Sequence, residues 1–321
     1  MSKFAKLNFI PLKKQITDTI MMIRPVAFRM NEQTAVNNYF QEDLDLKNAE
    51  INRRAQEEFD GFVEKLKSVG VNVIVIHDDL LMDTPDSIYP NNWISLHQTG
   101  DIALYPMFAE NRRRERREEV LERLEEEGFL IHNVYDYTEA ENEGLFLEGT
   151  GNLLLDRVNR KAYCALSPRA DEELLIEFCE DFEYTPVIFV ANQTVDGQRL
   201  PIYHTNVMMC LGDSFCVICL DAIDDSQERK NVVKHLKNDG KEIIEISEDQ
   251  MHHFAGNMLQ VQGKDSTYLV MSQSAKDSLT QAQIDTIHKY SKILTSDLTT
   301  IETCGGGSAR CMMAEVFLPR A

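Results

Sequence analysis

The chain has 321 residues, with 33 Lys and Arg against 53 Asp and Glu and a formal net charge of −20. A surface this acidic repels nucleic-acid phosphates and anionic lipid headgroups, which argues against DNA, RNA and membrane-surface partners. At 43 % hydrophobic and 27 % charged, the composition is that of a globular protein with material for a large core. No apolar run approaches the roughly 20 residues of a bilayer span.

Near the N-terminus, Lys3, Lys6, Lys13 and Lys14 surround only the short apolar stretch 9–12. A secretory signal needs a longer continuous apolar region, so a cytoplasmic protein is expected. Seven cysteines are an odd number, and Cys164, Cys210, Cys216 and Cys219 lie within apolar runs, as buried reduced thiols do. Cys216 and Cys219 have C-x-x-C spacing but no second pair, so a strand core is expected there rather than a metal or redox site.

In chain order, a strand is expected in residues 21–28, a helix through 57–70 and a strand in 71–77. From there one pattern recurs. A polar residue, usually Asn, precedes a short apolar run at Asn92, Asn152, Asn206, Asn257 and Cys311, with successive spacings of 60, 54, 51 and 54 residues. After each of the first four anchors come a polar turn and a second apolar run, which together read as a β-hairpin. Asn111, Asp171, Asp224–Ser226 and Asp277–Ser278 are candidate helix caps. They precede helical segments 115–128, 171–182, 228–240 and 279–294, two of which stop at Gly128 and Gly240. Strands in 186–190 and 241–246 lead to the next anchors.

The fifth unit is split between the chain ends, since the last strand has no helix after it and the first has no hairpin partner before it. Five ββαβ modules closed around a pseudo-fivefold axis, forming one domain over residues 1–321, are therefore expected. Asn91–Asn92, Gly149–Gly151, His204 and Cys311 fall at module junctions, where such an axis would gather them.

The segments PDSIYPNNW (85–93), FLEGTGN (146–152), LSPRAD (166–171), YHTNVMM (203–209) and GGGSARCMMAE (305–315) resemble the guanidino-group-modifying superfamily. This is the pentein α/β propeller fold of dimethylarginine dimethylaminohydrolase, arginine deiminase and the amidinotransferases. The resemblance covers nearly the whole chain and is closest to the bacterial citrulline-utilisation hydrolases. It implies a catalytic domain that needs no metal or organic cofactor. It also implies Cys311 as nucleophile, presented by a glycine-rich loop. His204 would be the proton donor and later the base, and Glu148 the carboxylate that fixes its tautomer and favours its protonated form. Taken alone, each would read as an ordinary buried or surface residue. Cys304, His252 and His253 match no role.

By the same resemblance, Asp86 holds the planar nitrogen-rich group of the substrate and Arg169 its α-carboxylate, a task suited to guanidinium. Arg112 or Arg113 would add a second carboxylate contact. The chain departs from dimethylarginine hydrolases at Asn91 and Asn92, where those enzymes carry two acids. Neutral amides suit a neutral ureido group better than a buried guanidinium, which points to L-citrulline hydrolysed to ornithine, carbon dioxide and ammonia through an S-carbamoyl cysteine. The alternatives are arginine or methylarginine hydrolysis, amidinotransfer, and a binding role like that of the ribosome anti-association factors. A free amino acid is the expected partner, a homodimer through the outer helices fits the layout, and residues 28–33 are a candidate cover for the site.

Overall fold

The computed structural model describes residues 14–321. Lys3, Lys6, Lys13 and the stretch 9–12, on which the secretory-signal reading rests, lie outside the described residues. Among the described residues the apolar runs assemble into five three-stranded sheets, and no sheet closes on itself.

One strand pattern repeats in all five. Ile94–Leu96 pairs antiparallel with Asp101–Leu104, which pairs parallel with Asn133–Asp136. The same order joins Leu154–Asp156, Lys161–Leu166 and Thr185–Val190, then Met209–Leu211, Phe215–Ile218 and Glu242–Glu245, then Leu259–Gln262, Thr267–Ser272 and Lys292–Ser296. In the fifth sheet Thr19–Arg24 is the middle strand, parallel to Asn72–His77 and antiparallel to Ala314–Glu315. The two chain ends thus complete one sheet, as the split unit required. A parallel pair needs a crossover, supplied by helices such as Asn48–Ser68, Glu118–Glu126, Glu172–Asp181 and Ser226–Asn238. Middle strands read as continuous apolar runs because both faces are covered; Phe215–Ile218 is buried at every position.

Local expectations hold where the signal is local. Asp171 accepts from the Glu173 and Leu174 amides, and Asp225 from those of Gln227 and Glu228. Gly128 and Gly240 end their helices with φ of 84° and 72°. All seven cysteines are free and buried. Three expectations fail, and one is the cap at Asp277–Ser278, residues that instead close the helix Gln273–Ser278. Asn111 caps nothing, because its side chain is committed to Asn31, and the helix behind it starts uncapped at Glu118. The segment 279–294 is not one helix: a capping box of Thr280 and Gln283 opens Gln281–Ile287, and Lys292–Ser296 becomes a strand because it completes a sheet edge. An unanticipated hairpin, Asn192–Val195 with Gln198–Pro201, turns at Asp196 and Gly197, with φ of 49° and 76°. That Asp-Gly pair is a hairpin signal in the sequence itself. Among the described residues no helix is long and apolar enough to cross a membrane.

Successive anchors are tied to one another. Asn91 donates to the Thr150 hydroxyl at 3.3 Å, Asn152 to the Tyr203 carbonyl at 3.2 Å and Asn257 to the Asn206 carbonyl at 3.0 Å. The Arg310 amide donates to Asn257 Oδ1 at 3.0 Å. Such short bridges leave no room for side chains between the segments. A Cβ on Gly256 would overlap the Val207 carbonyl oxygen, and one on Gly149 the Asn91 carbonyl oxygen.

Gly256→Ala is expected to lower stability by about 2–3 kcal/mol. Gly61, in the helix Asn48–Ser68, has open space around its Cβ position, and Gly61→Ala should be neutral or stabilising by up to about 1 kcal/mol. Urea unfolding of both variants checks the pair; equal midpoints would show that the junction yields to an added methyl.

Candidate active site

Cys311 sits at the end of a loop that three glycines allow to run under other backbone. The helix Thr299–Gly305 ends at Gly306 with φ of 60°, and the Cys311 amide then bonds to the Ser308 carbonyl at 3.0 Å. The Tyr89 hydroxyl donates to the Ile301 and Gly307 carbonyls at 3.2 and 3.4 Å, and Asn38 donates to the Gly305 carbonyl at 3.3 Å. The Tyr203 hydroxyl donates to the Gly306 carbonyl. These donors fix a loop that has few side chains of its own. Cys311 is 2 % exposed, and burial pushes its thiol up.

His204 and Glu148 meet as the motifs imply. His204 Nε2 lies 2.7 Å from Glu148 Oε2, and His204 Nδ1 has no hydrogen-bond partner among the described residues. Glu148 is fully buried yet well supplied with donors: the Phe108 amide at 3.0 Å, Arg169 Nη1 at 3.4 Å and Arg112 Nη1 at 3.8 Å. Burial alone would raise this carboxyl, but Arg169, the imidazole and Arg112 hold it well below the usual carboxylate range. Ionised Glu148 therefore accepts Nε2–H and leaves the Nδ1 lone pair open. The sequence expectation that Glu148 would keep His204 protonated is corrected here. Burial, joined by the two nearby guanidiniums, outweighs the carboxylate and pushes the imidazole down to about 4.

Arg169 and Arg112 both reach the centre. Arg169 is 1 % exposed, and its guanidinium also bonds to Asn37 Oδ1 at 2.9 Å and the Thr34 carbonyl at 2.9 Å. Arg112 grips Glu115 with two bonds, 2.8 and 3.0 Å, and donates to Asn92 Oδ1 at 2.9 Å. Burial opposes its charge, but Glu115, Asp86 and Glu148 hold it charged more firmly than an ordinary arginine. Arg113, the other candidate, turns away to the Met107 carbonyl and Glu141. It lies outside the cavity, so of the two only Arg112 is placed at the centre.

The two amides differ in placement. Asn92 lines the cavity, whereas Asn91 is buried behind it and bonded to Thr150 and Asn92. Asp86 accepts from Asn31 at 2.7 Å and from Thr34 at 3.2 Å through Oδ2, while Oδ1 is buried with no hydrogen-bond partner among the described residues. Burial pushes the Asp86 carboxyl up. One cavity is thus lined by Asp86, Asn92, Arg112, Arg169, His204 and Cys311.

Its volume is only about 10 Å³, at the limit for one water. The cover includes part of 28–33 but extends further, through Glu32–Ala35 to Gln41. Thr34 and Asn38 line the cavity, and Gln41 donates to the Cys304 carbonyl at 3.0 Å. A space of this size does not hold a whole amino acid, and this segment forms one of its walls. Sequence reading missed Thr34, Asn37, Asn38 and Glu115. Glu115 carried a signal, three residues beyond Arg112 on a helical spacing. The polar residues of the cover had none.

A family model described as N,N dimethylarginine dimethylhydrolase, eukaryotic, matches residues 24–318. Among solved structures, apo ArgZ, an arginine dihydrolase from the ornithine-ammonia cycle in cyanobacteria, is similar with a TM-score of 0.70 at 17 % identity, over 94 % of this chain and 41 % of ArgZ. This chain therefore spans about two fifths of that protein's length. The N-terminal domain of ArgZ bound to substrate gives a TM-score of 0.67 at 17 % identity, over 94 % of this chain and 99 % of the domain. A dimethylarginine dimethylaminohydrolase adduct with S-methyl-L-thiocitrulline gives 0.63 at 14 % identity, over 94 % and 99 %. No curated protein matches the sequence. The family match over residues 24–318, together with the mixed α/β fold shared with these structures, bears out the superfamily resemblance seen in the motifs.

A buried neutral His204 makes stability depend on pH. The folded imidazole titrates near 4 rather than its ordinary 6.5, so its contribution is complete above 6.5 and lost as pH falls toward 4. The span corresponds to about 3 kcal/mol. His204→Gln should flatten the stability profile between pH 6.5 and 4; denaturant titrations across that window check it, and an unchanged slope would mean the imidazole is already protonated when folded.

Proposed function

Because the chain belongs to the eukaryotic N,N dimethylarginine dimethylhydrolase family, we propose that it hydrolyses the guanidino group of a free amino acid, arginine or a methylated arginine. Family membership makes it a hydrolase of non-peptide C–N bonds. The substrate reading is carried by one observation. Asp86 and His204 line one cavity with Cys311, and each has a buried side-chain atom with no hydrogen-bond partner among the described residues, Oδ1 of Asp86 and Nδ1 of His204. A carboxylate oxygen without a donor is an acceptor for a planar N–H-rich cation, and the arriving charge would also favour the ionised form of Asp86.

In this reading Cys311 Sγ gives its proton to His204 Nδ1 and attacks the guanidino carbon. The imidazolium then protonates the departing amine, which is ammonia from arginine, methylamine from a monomethylated arginine and dimethylamine from N,N-dimethylarginine, leaving an S-alkylthiouronium. Water, deprotonated by Nδ1, attacks the same carbon; the C–S bond breaks, the sulfur recovers a proton and citrulline leaves. Glu148 holds the imidazole by Nε2 throughout. Arg169, and Arg112 once released from Asn92, hold the substrate carboxylate. We take residues 1–321 to form one catalytic domain, its five repeated sheets set around a pseudo-fivefold axis. The sheet shared by the chain ends supports that arrangement.

Citrulline, favoured by the sequence reading, is the second reading. The comparisons lie on the arginine side and do not support it. Two features do: the amides at Asn91 and Asn92, and the resident Arg112 guanidinium 3.8 Å from Asp86, which already offsets part of the negative charge a second guanidinium would seek. Here the sulfur attacks the ureido carbon, ornithine departs through its δ-nitrogen, and hydrolysis of the S-carbamoyl enzyme gives carbamate, which breaks down to carbon dioxide and ammonia.

Incubation with arginine, dimethylarginine and citrulline separately, with products followed by mass spectrometry, tests both readings. Citrulline formed from arginine or its methylated form, and at least 10³-fold less with Cys311→Ser, is the expected result. Ornithine from citrulline alone would transfer the assignment to the second reading; no product from any of them would overturn both. Asn91→Glu combined with Asn92→Asp should shift preference toward guanidinium substrates by about tenfold or more, read as the ratio of kcat/KM values. An unmoved ratio would remove the amides as specificity determinants.

A further inference from the structure

Among the described residues, Cys311 differs from the other six cysteines in one respect: side-chain amides donate to its sulfur. Asn257 Nδ2 lies 3.2 Å from Sγ and Asn206 Nδ2 lies 3.4 Å away. Both asparagines are fully buried. By contrast, Cys164 and Cys216 point their own thiols at neighbouring carbonyls.

The orientation of Asn257 is fixed by its partners. Its Oδ1 accepts from the Arg310 amide at 3.0 Å, and a backbone N–H can only donate. The NH₂ end must therefore face away from Arg310. One of its hydrogens goes to the Asn206 carbonyl at 3.0 Å, and the other is left for the sulfur. Asn206 is less constrained, since its Oδ1 also lies 3.7 Å from Sγ. An amide aimed in this way gains little from a neutral thiol and much more from a thiolate, because a hydrogen bond to an ionised acceptor is about twice as strong.

We propose that Asn257, seconded by Asn206, is a thiolate-stabilising pair that holds the ionised form of Cys311 during attack and receives it again as leaving group when the covalent intermediate breaks down. The inference rests on Cys311 being the nucleophile. In each half of the reaction the sulfur passes between neutral or covalently bonded and anionic forms; the proton moves to and from His204 Nδ1, and the amides lose none of theirs. Other groups face the sulfur's surroundings as well. Arg310 lies beside it in sequence, Tyr89 and Tyr203 are nearby neutral phenols, and Asp86, Arg112, Arg169 and His204 share the cavity. Asn257 is the largest single influence opposing the upward push of burial on this thiol.

The repeat explains why these two residues are available. Asn206 and Asn257 are the anchors of the two modules that precede Cys311, and Cys311 occupies the corresponding place in the fifth. The repeated position that elsewhere ties one module to the next here ties two amides to a sulfur.

The test is the ultraviolet absorbance of the thiolate, titrated against pH as the difference between each protein and the same protein carrying Cys311→Ser. Asn257→Leu should raise the midpoint by about one pH unit and lower kcat while leaving KM nearly unchanged. Asn206→Leu should do the same to a smaller extent. Should the leucine variant fail to fold, Asn257→Asp keeps the shape and the Arg310 contact while setting an oxygen against the sulfur, and its midpoint should rise further. A midpoint equal to that of the parent in a folded variant overturns the proposal, even if activity falls. Activity that survives Cys311→Ser overturns instead the nucleophile assignment on which it rests.

Discussion

The centre of this protein is organised around one fully buried carboxylate. A lone ionised Glu148 in that position would be costly enough to neutralise itself. It stays ionised because the Phe108 amide, His204 and Arg169 bring donors to it, with Arg112 close by. Each partner is thereby fixed in turn. The imidazole must present Nε2–H to Glu148, which leaves Nδ1 without a partner among the described residues, and Arg169 is left with two further donors to hold Asn37 and Thr34 of the covering segment. Charge compensation, tautomer choice and closure of the site thus follow from a single requirement.

The scaffold meets this requirement through repetition. Five short segments approach so closely that glycine is needed where backbone meets backbone, and asparagine amides bridge adjacent segments because they can donate and accept at once. The fifth of these positions carries the sulfur, and Asn206 and Asn257 of the two modules before it donate to that sulfur. The site is therefore less a pocket cut into the fold than the place where its repeats converge. This also accounts for its small volume: the junctions approach closely, and Thr34 and Asn38 of the segment through Gln41 fill one side.

Much of this was legible in the residues. The anchors could be found because each is a local pattern, a polar residue before an apolar run, and local patterns survive in a linear reading. Asp171 and Asp225 were legible as caps for the same reason. Asn111 was misread because its side chain serves Asn31, 80 residues away, rather than its own helix. The strand Lys292–Ser296 was misread as helix because the partner that makes it a strand lies in another segment.

For the site the division is similar. Sequence alone determined which residues could do chemistry, Cys311 after its glycines, His204, Glu148 and the arginines, since residue type and motif are properties of the chain. It also determined that the two ends belong to one unit, because neither is complete without the other. Tertiary structure alone decided the charge on His204, the choice of Arg112 over Arg113, the retreat of Asn91 behind Asn92, and the aim of Asn257 at the sulfur. Each of these depends on burial and on which groups from distant segments come within hydrogen-bond reach, and neither quantity exists until the chain has folded.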